Sequence, residues 1–411
     1  MTILYRKVIQ MTTHLKIGRL DADELAKKLT TPLYVYDARR VEENYLTINS
    51  AIFYEPKQIH YAIMCNNRLQ ILKVLLNLGA DIQVNSVKEY RLVKSIGSSN
   101  AKISVTTTNI STDDLSFYAE NQAQINFDSI EEISCYGQLI KQSSTVINHT
   151  IGIRISVPME ITDQSATNQP HPTKARVGIN SKQFDLVKEA AKKYNLKING
   201  IHGYIASNLI DLVPFIKLGS YLVECAKKFP DLEYINFGTG FGIDFDWLAY
   251  GQMVTPLMRS ISTFFGRPIH LKIEPGRSLV GDAGILLTRV TNIKDMGNWT
   301  QVGVDAGFGV FARPYIYGWQ KGQGGYHPVV VANKIDQPPK GLYTICGNST
   351  LQGDFIAEDR LLPEIEIGDL IAILNAGAYG AVMLSGFPGM RRAGEVLIYD
   401  DTIEVISETE R

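Results

Sequence analysis

Gly238-Thr239-Gly240-Phe241-Gly242 places three glycines in five positions. Small residues let backbone N–H groups approach an anion, so this segment is a candidate phosphate cradle. A lone Gly-rich turn is as often just a turn. Farther along, Ile273-Glu274-Pro275-Gly276-Arg277-Ser278 offers a carboxylate, another close backbone approach and a cation. A buried Glu can hold a protonated ring nitrogen by a charge-assisted hydrogen bond. The plain alternative is an ion pair between Glu274 and a nearby Arg. His202-Gly203-Tyr204-Ile205-Ala206-Ser207-Asn208 adds a hydroxyl for a phosphate oxygen at Ser207 and a ring at Tyr204 that could lie on a flat ligand. A lone His or Tyr of this kind is more often a satisfied core group. Arg313-Pro314-Tyr315-Ile316-Tyr317-Gly318 carries a guanidinium able to clamp a carboxylate with two parallel bonds. Gly353-Asp354 and Gly377-Ala378-Tyr379 are similar loop signatures, each alone closer to a turn than to a site. Cys65, Cys135, Cys225 and Cys346 are scattered without Cys-x-x-Cys spacing, so no metal site is expected.

These segments need a scaffold. Strand-like apolar runs occur at Gln58–Ile63, Asp81–Val84, Lys102–Thr106, Ala123–Phe127, Ile151–Val157, Ile198–Ile205, Tyr234–Phe237 and Ile269–Ile273. Helical patterns fall between them. Arg68–Leu78 has leucines near helical spacing and Gly79 as a stop. Ser181–Tyr194 has Ser181 as a candidate cap, and Gln252–Phe265 ends at Gly266-Arg267-Pro268. Eight such units closing into a parallel barrel are the simplest packing for about 250 residues, with an open doubly wound sheet as the competitor. In a barrel, Gly238, Gly240, Glu274 and Gly276 follow the seventh and eighth strands, where phosphate is often held.

After Gly281 the rhythm changes. Ile285–Ile293, Thr300–Val304, Val329–Val331, Leu342–Cys346, Leu370–Leu374, Glu395–Tyr399 and Ile403–Ile406 are strand-like, with few helical stretches between them. That reads as a β-sandwich or barrel domain. The expected organisation is residues 1–36 joining the β domain, 37–282 forming the (β/α)8 barrel, and 283–411 forming the β domain. The polar Glu160–Thr173 stretch reads as a mobile loop.

The chain has 411 residues, with 41 Lys plus Arg against 42 Asp plus Glu. That balance gives no basic surface for nucleic acid and no acidic tail. No apolar run approaches the ~18 residues needed to span a bilayer. Met1-Thr2-Ile3-Leu4-Tyr5-Arg6-Lys7 does not lead into a signal-peptide core, so no membrane association and a cytoplasmic location are expected.

Taken together and in order, the segments resemble the fold-type III pyridoxal-phosphate decarboxylases, above all the diaminopimelate and ornithine decarboxylases. The likeness runs from Pro32-Leu33-Tyr34-Val35-Tyr36-Asp37 to Gly394-Glu395-Val396-Leu397. It implies an alanine-racemase-like barrel, a C-terminal β domain and a head-to-tail homodimer with active sites at the interface. By family pattern Ser207, Gly238, Gly240, Gly276, Arg277 and Tyr379 surround the cofactor phosphate, and Glu274 faces the pyridine nitrogen. Arg313 and Tyr317 face substrate, and Asp354 approaches from the partner subunit.

The departures fall at positions that carry the chemistry. The family's first barrel strand ends in an aromatic-Ala-x-Lys-Ala-Asn motif whose Lys forms the covalent link to the cofactor. Here it is Tyr61-Ala62-Ile63-Met64-Cys65-Asn66, with Met64 at the Lys position. A thioether has no amine and cannot form an imine. Gln83 stands at an acidic position, Tyr204 at the position of a stacking imidazole, and Thr350 at the position of a proton-donating Cys. If the missing Lys and Cys each cost ~10²–10⁴ in rate, little turnover remains. Lys88 and Cys346 are the candidates for a relocated amine and acid. A solvated helix-start lysine and a buried strand cysteine are the preferred readings of them. Arg176 falls where the family has a basic residue near the cofactor, with its partner acid missing.

Three functions follow. One is a degenerate homologue that binds pyridoxal phosphate non-covalently, or another phosphate-bearing ligand, as a homodimer or in a heterodimer with an active paralogue. Another is an active amino-acid decarboxylase or repurposed enzyme using Lys88 or altered chemistry. The third is a scaffold with an empty pocket.

Overall fold

The computed structural model describes residues 14–97, 101–142, 148–158 and 175–410. The N-terminal heptapeptide and the 160–173 stretch discussed above lie outside them. The described residues fall into two compact units, one built on residues 44–279 and one on residues up to 43 and from 280 onward.

In the first unit, eight parallel strands close into a barrel: Lys57–Ala62, Asp81–Val84, Ile103–Thr106, Gln124–Phe127, Thr150–Ile155, Lys197–Gly203, Tyr234–Asn236 and His270–Ile273. The eighth returns to the first, Leu271 opposite Lys57, which excludes the open doubly wound sheet. Helices pack outside. In Leu69–Asn77, Ile71, Leu72 and Leu75 are buried while Lys73 and Asn77 face outward, the stripe that a 3.6-residue period imposes. The helix beginning at Val87 is capped by Ser86, whose hydroxyl accepts from the Glu89 N–H at 3.2 Å. The helix expected from Ser181 begins instead with a 3-10 turn capped by Asn180, and the α-helix proper is Phe184–Lys193. The helix expected at 252–265 starts earlier, at Trp247, because the Asp246 carboxylate accepts from Ala249 N–H.

Strand side chains alternate between the two faces. The outward set (Ile59, Tyr61, Ile82, Val105, Ile125, Ile153, Ile201, Ile235, Leu271) is apolar and buried beneath the helices. The inward set is polar or glycine: His60, Gln83, Ser104, Asn126, Gly152, Gly200, Tyr234, Lys272. Barrels of this kind usually fill their interior with branched aliphatics. Here the Tyr234 side chain crosses the bore. A Cβ on Gly200 would stand 1.9 Å from its Cζ, and a Cβ on Gly152 2.1 Å from its hydroxyl. Tyr234 donates to Asn126 Oδ1 at 2.7 Å.

The second unit is a β domain. Its longest strand, Gly284–Asp295, pairs with Leu33–Asp37, Thr300–Val304 and Leu370–Ile373. Leu33–Asp37 also pairs in parallel with Gly394–Tyr399, which pairs with Thr402–Ser407. Leu33, Val35, Leu287, Leu370, Ala372, Val396 and Ile398 form its core. Gly341–Cys346 pairs with a strand the sequence reading lacked, Phe355–Leu362. Arg313–Tyr317, read as a turn, is a short helix with Pro314 in its first turn, where a missing N–H costs nothing.

Candidate active site

At the C-terminal ends of the barrel strands, Gly238 and Gly240 have φ of 64° and 126°, conformations that L side chains rarely adopt. A Cβ on Gly238 would lie 2.3 Å from the Gly203 carbonyl oxygen, and one on Gly240 2.4 Å from that of Ala206. The turn thus rests directly on the His202–Ser207 loop, and Gly240 O accepts from Leu209 N–H. Ser207 is half-buried there. Gly276 packs against the end of the first strand, where an added Cβ would meet Cys65 Sγ at 3.1 Å and Ala62 Cβ at 3.3 Å. Ala62 N–H donates to the Pro275 carbonyl. The 274–277 segment and the Met64 segment are therefore neighbours, and the fold brings Ser207, Gly238, Gly240, Glu274, Gly276 and Arg277 to one end of the barrel.

Glu274 is the centre of this end, 2% exposed. Its carboxylate lies 3.1 Å from His202 Nε2, accepts from Asn236 Nδ2 at 2.7 Å and from Thr106 Oγ1 at 3.4 Å. Burial alone would raise its pKa. The charges of His202 and His60 and the bonds from His202 and Asn236 win, and hold the carboxyl below its usual range. Glu274 is thus paired with a histidine and an amide, and the arginine partner of the plain reading is not among its hydrogen-bond partners. His202 is only half-satisfied, since its buried Nδ1 has no hydrogen-bond partner.

Met64 sits in a 3-10 turn, Ile63–Cys65, immediately after the first strand, and is 38% exposed. Its Sδ accepts from Asn85 Nδ2 at 2.7 Å. Asn85 Oδ1 in turn accepts from Gln83 Nε2 at 2.8 Å, and Gln83 also donates to the carbonyls of Val84 and Thr106. Gln83 is 3% exposed and donates where a carboxylate could only accept. Cys65, the residue after Met64, is no substitute nucleophile: burial pushes its thiol up to about 12. Lys88 is exposed in the first turn of its helix. Tyr204 follows the sixth strand, with the Arg154 guanidinium 5.7 Å from its ring centroid. Arg154, to which the sequence gives no separate signal, is half-buried within the fifth strand, 3.8 Å from Asp128. Arg176 is exposed.

In the β domain, Arg313 is 2% exposed and donates to the Gly324 carbonyl at 2.6 Å. Its guanidinium lies 5.0 Å from the Tyr317 ring centroid and 5.8 Å from that of Tyr379, which has a φ of 58°. Arg313, Tyr317 and Tyr379 are thus one cluster. Asp354 organises its own loop, accepting from the backbone N–H groups of Phe308 and Ser349 and from the Ser349 hydroxyl. Thr350 is exposed on that loop. Burial pushes the Cys346 thiol up to about 12.

The barrel residues fit pyridoxal phosphate in three ways. The Gly238–Gly240 backbone leaves no room for a Cβ, the Ser278 hydroxyl is buried without a hydrogen-bond partner, and an ionised Glu274 suits a protonated ring nitrogen. They lack an amine at position 64. Among the described residues no group of three or more His, Cys, Asp or Glu is placed to hold a metal ion, and no helix is long and apolar enough to cross a membrane.

The family model for the pyridoxal-dependent decarboxylase, pyridoxal binding domain, matches residues 38–281. Diaminopimelate decarboxylase of Methanothermobacter thermautotrophicus is 32% identical, over 97% of this chain and 93% of its own. That of Archaeoglobus fulgidus is 30% identical over 96% and 94%. The crystal structure of the Methanocaldococcus jannaschii enzyme superposes with a TM-score of 0.86 at 26% identity, covering 100% of this chain and 96% of that one.

Proposed function

Because this chain belongs to the pyridoxal-dependent decarboxylase family, we propose that it is a diaminopimelate-decarboxylase-like protein with a degenerate site. It binds pyridoxal phosphate, or another phosphate-bearing ligand, without a covalent tether and with little or no decarboxylase turnover. Ser207, Gly238, Gly240, Gly276, Arg277 and Tyr379 hold the phosphate, and Glu274 holds the ring nitrogen. Arg313, Tyr317 and Asp354 take the remainder of the ligand. The protein works as a homodimer, or in mixed dimers with an active paralogue, in the cytoplasm.

One observation carries the reading. The turn at position 64 presents a thioether engaged by Asn85, beside an intact glycine cradle. When bound, pyridoxal phosphate supplies an electron sink for an amine joined to it. This chain's residues bind and orient the group, and Glu274 keeps its acceptor at the ring nitrogen. Met64 has no proton to move, and the Thr350 hydroxyl is a far weaker acid than a cysteine thiol. The alternative that recruits Lys88 is not favoured by its exposed place on a helix.

The test is a titration with pyridoxal phosphate, followed by borohydride and intact-mass analysis, beside an assay of carbon dioxide release from diaminopimelate. Saturable binding, unchanged mass and no release are expected. A reduced adduct on Lys88, or brisk release, would replace this reading with the enzymatic one. Absence of binding would favour the scaffold.

A further inference from the structure

At the opposite, N-terminal mouth of the barrel lies a cavity of about 440 Å³, lined by the first residues of the strands and by the ends of neighbouring helices. Its volume is in the range of small-molecule sites. Three lysines line it, Lys94, Lys102 and Lys272. Lys272 is 8% exposed, and its Nζ lies 3.7 Å from the Tyr234 ring centroid. Among the described residues it has no ion pair within 4.0 Å. A buried ammonium held only by a ring face is costly.

The other polar groups there are also under-satisfied. His60 is 1% exposed, and neither ring nitrogen has a hydrogen-bond partner; its nearest carboxylate, Asp81, is 3.8 Å away. Asn199 Oδ1 and His270 Nδ1 are buried without partners too. The two carboxylates near the cavity are already engaged. Asp81 accepts from the Lys102 N–H at 2.8 Å, and Glu233 accepts from Asn199 Nδ2 at 3.0 Å with Lys197 at 3.9 Å. The cavity is therefore open to solvent at its rim, where Lys94 and Lys102 are exposed, cationic on balance, and lined at its floor by groups with bonds still to make.

We infer that this mouth is a binding site for a small organic anion, with a carboxylate or phosphate head held by Lys272, Lys102 and His60. The amides of Gln58, Gln124 and Asn199 line the space for a polar body behind the head. Binding is linked to protonation. Burial, and then the charge of Lys102, bring the Lys272 ammonium down to about 8, against Asp81, Glu274 and Glu233. His60 is held low by burial and by Lys272, and His270 by burial, Lys102 and Lys272, so neither takes over the positive charge at alkaline pH. An anion favours the charged lysine, so affinity weakens as pH rises through that value.

The experiment uses the full chain, with inorganic phosphate and succinate as separate probes, read by thermal shift and by crystal soaking. Density is expected against the Lys272 ammonium for at least one probe, and which probe binds names the head group. Affinity is expected to fall at least tenfold in Lys272→Met, and several-fold in Lys102→Glu, a surface change that keeps the fold testable. It should fall again between pH 8 and pH 9. Density for neither probe at this mouth, or affinities indifferent to both lysine variants, would overturn the inference.

Discussion

The two mouths of the barrel are both polar, yet they are made of different materials. The C-terminal mouth is largely backbone: Gly238 and Gly240 at positive φ press against the carbonyls of Gly203 and Ala206. The N-terminal mouth is side chain: Lys272, His60 and Lys102 around a cavity. A backbone cradle depends on where the chain goes, so it persists while the side chains around it change. On the function proposed above, that is the state of the C-terminal mouth, where the cradle stands beside Met64, Gln83 and Tyr204. A side-chain site has no such tolerance, because one substitution removes its charge.

The largest effect expected from this contrast is a gain. Met64→Lys restores an amine beside a cradle that is still formed, so pyridoxal phosphate should become attached stoichiometrically. A new near-visible absorbance band and a borohydride-stable mass on the peptide containing Ile63 and Cys65 would report it. No spectral change would break the correspondence of the first strand with the family motif. Next in size is damage to the cradle itself. Gly240→Ala imposes a φ of 126° on a side-chain-bearing residue and drives Cβ to 2.4 Å from a carbonyl oxygen. The backbone strain alone is about 1–3 kcal/mol. Melting temperature should drop and affinity for pyridoxal phosphate should fall by tenfold or more; wild-type behaviour in both would mean the turn is not the cradle.

A smaller effect separates the mouths by pH. Burial depresses the His60 imidazole from 6.5 to about 4. The unfolded chain binds that proton first, so stability is full above about 6.5 and is lost as pH falls toward about 4. The loss is ~1–3 kcal/mol. Glu274, held below the usual carboxyl range, contributes in full above about 4.3 and loses that contribution progressively as pH falls further, so the two windows are distinct. Urea midpoints measured from pH 7 to pH 4 should slope in the wild type and flatten in His60→Asn. An identical slope in that variant would assign the effect elsewhere. The smallest expected effect is none: Lys88→Ala should leave pyridoxal phosphate affinity and spectrum unchanged, as its exposed place requires.

The barrel was legible because outward strand positions are uninterrupted apolar residues at period two, and the capped helices between them carry a clean stripe. Glycines at strand ends and the Glu274 segment were legible by order and spacing. The interior was not. Within Ile269–Ile273, Lys272 and His270 read as polar residues interrupting an apolar run, and His60 and Arg154 read likewise. Their meaning appears only when eight strands are stacked and the inward positions, Ala62 apart, prove polar or glycine. Phe355–Leu362 escaped because Glu358-Asp359-Arg360 interrupts its apolar pattern; it lies at the edge of its sheet, where charges are tolerated. Arg313–Tyr317 escaped because Pro314 reads as a breaker, although the first helical turn accepts it.

Tyr234, threaded between Gly152 and Gly200, acts as a bulkhead across the bore. Two compartments separated by one aromatic wall can be refitted independently. A change of side chains in one leaves the lining of the other in place.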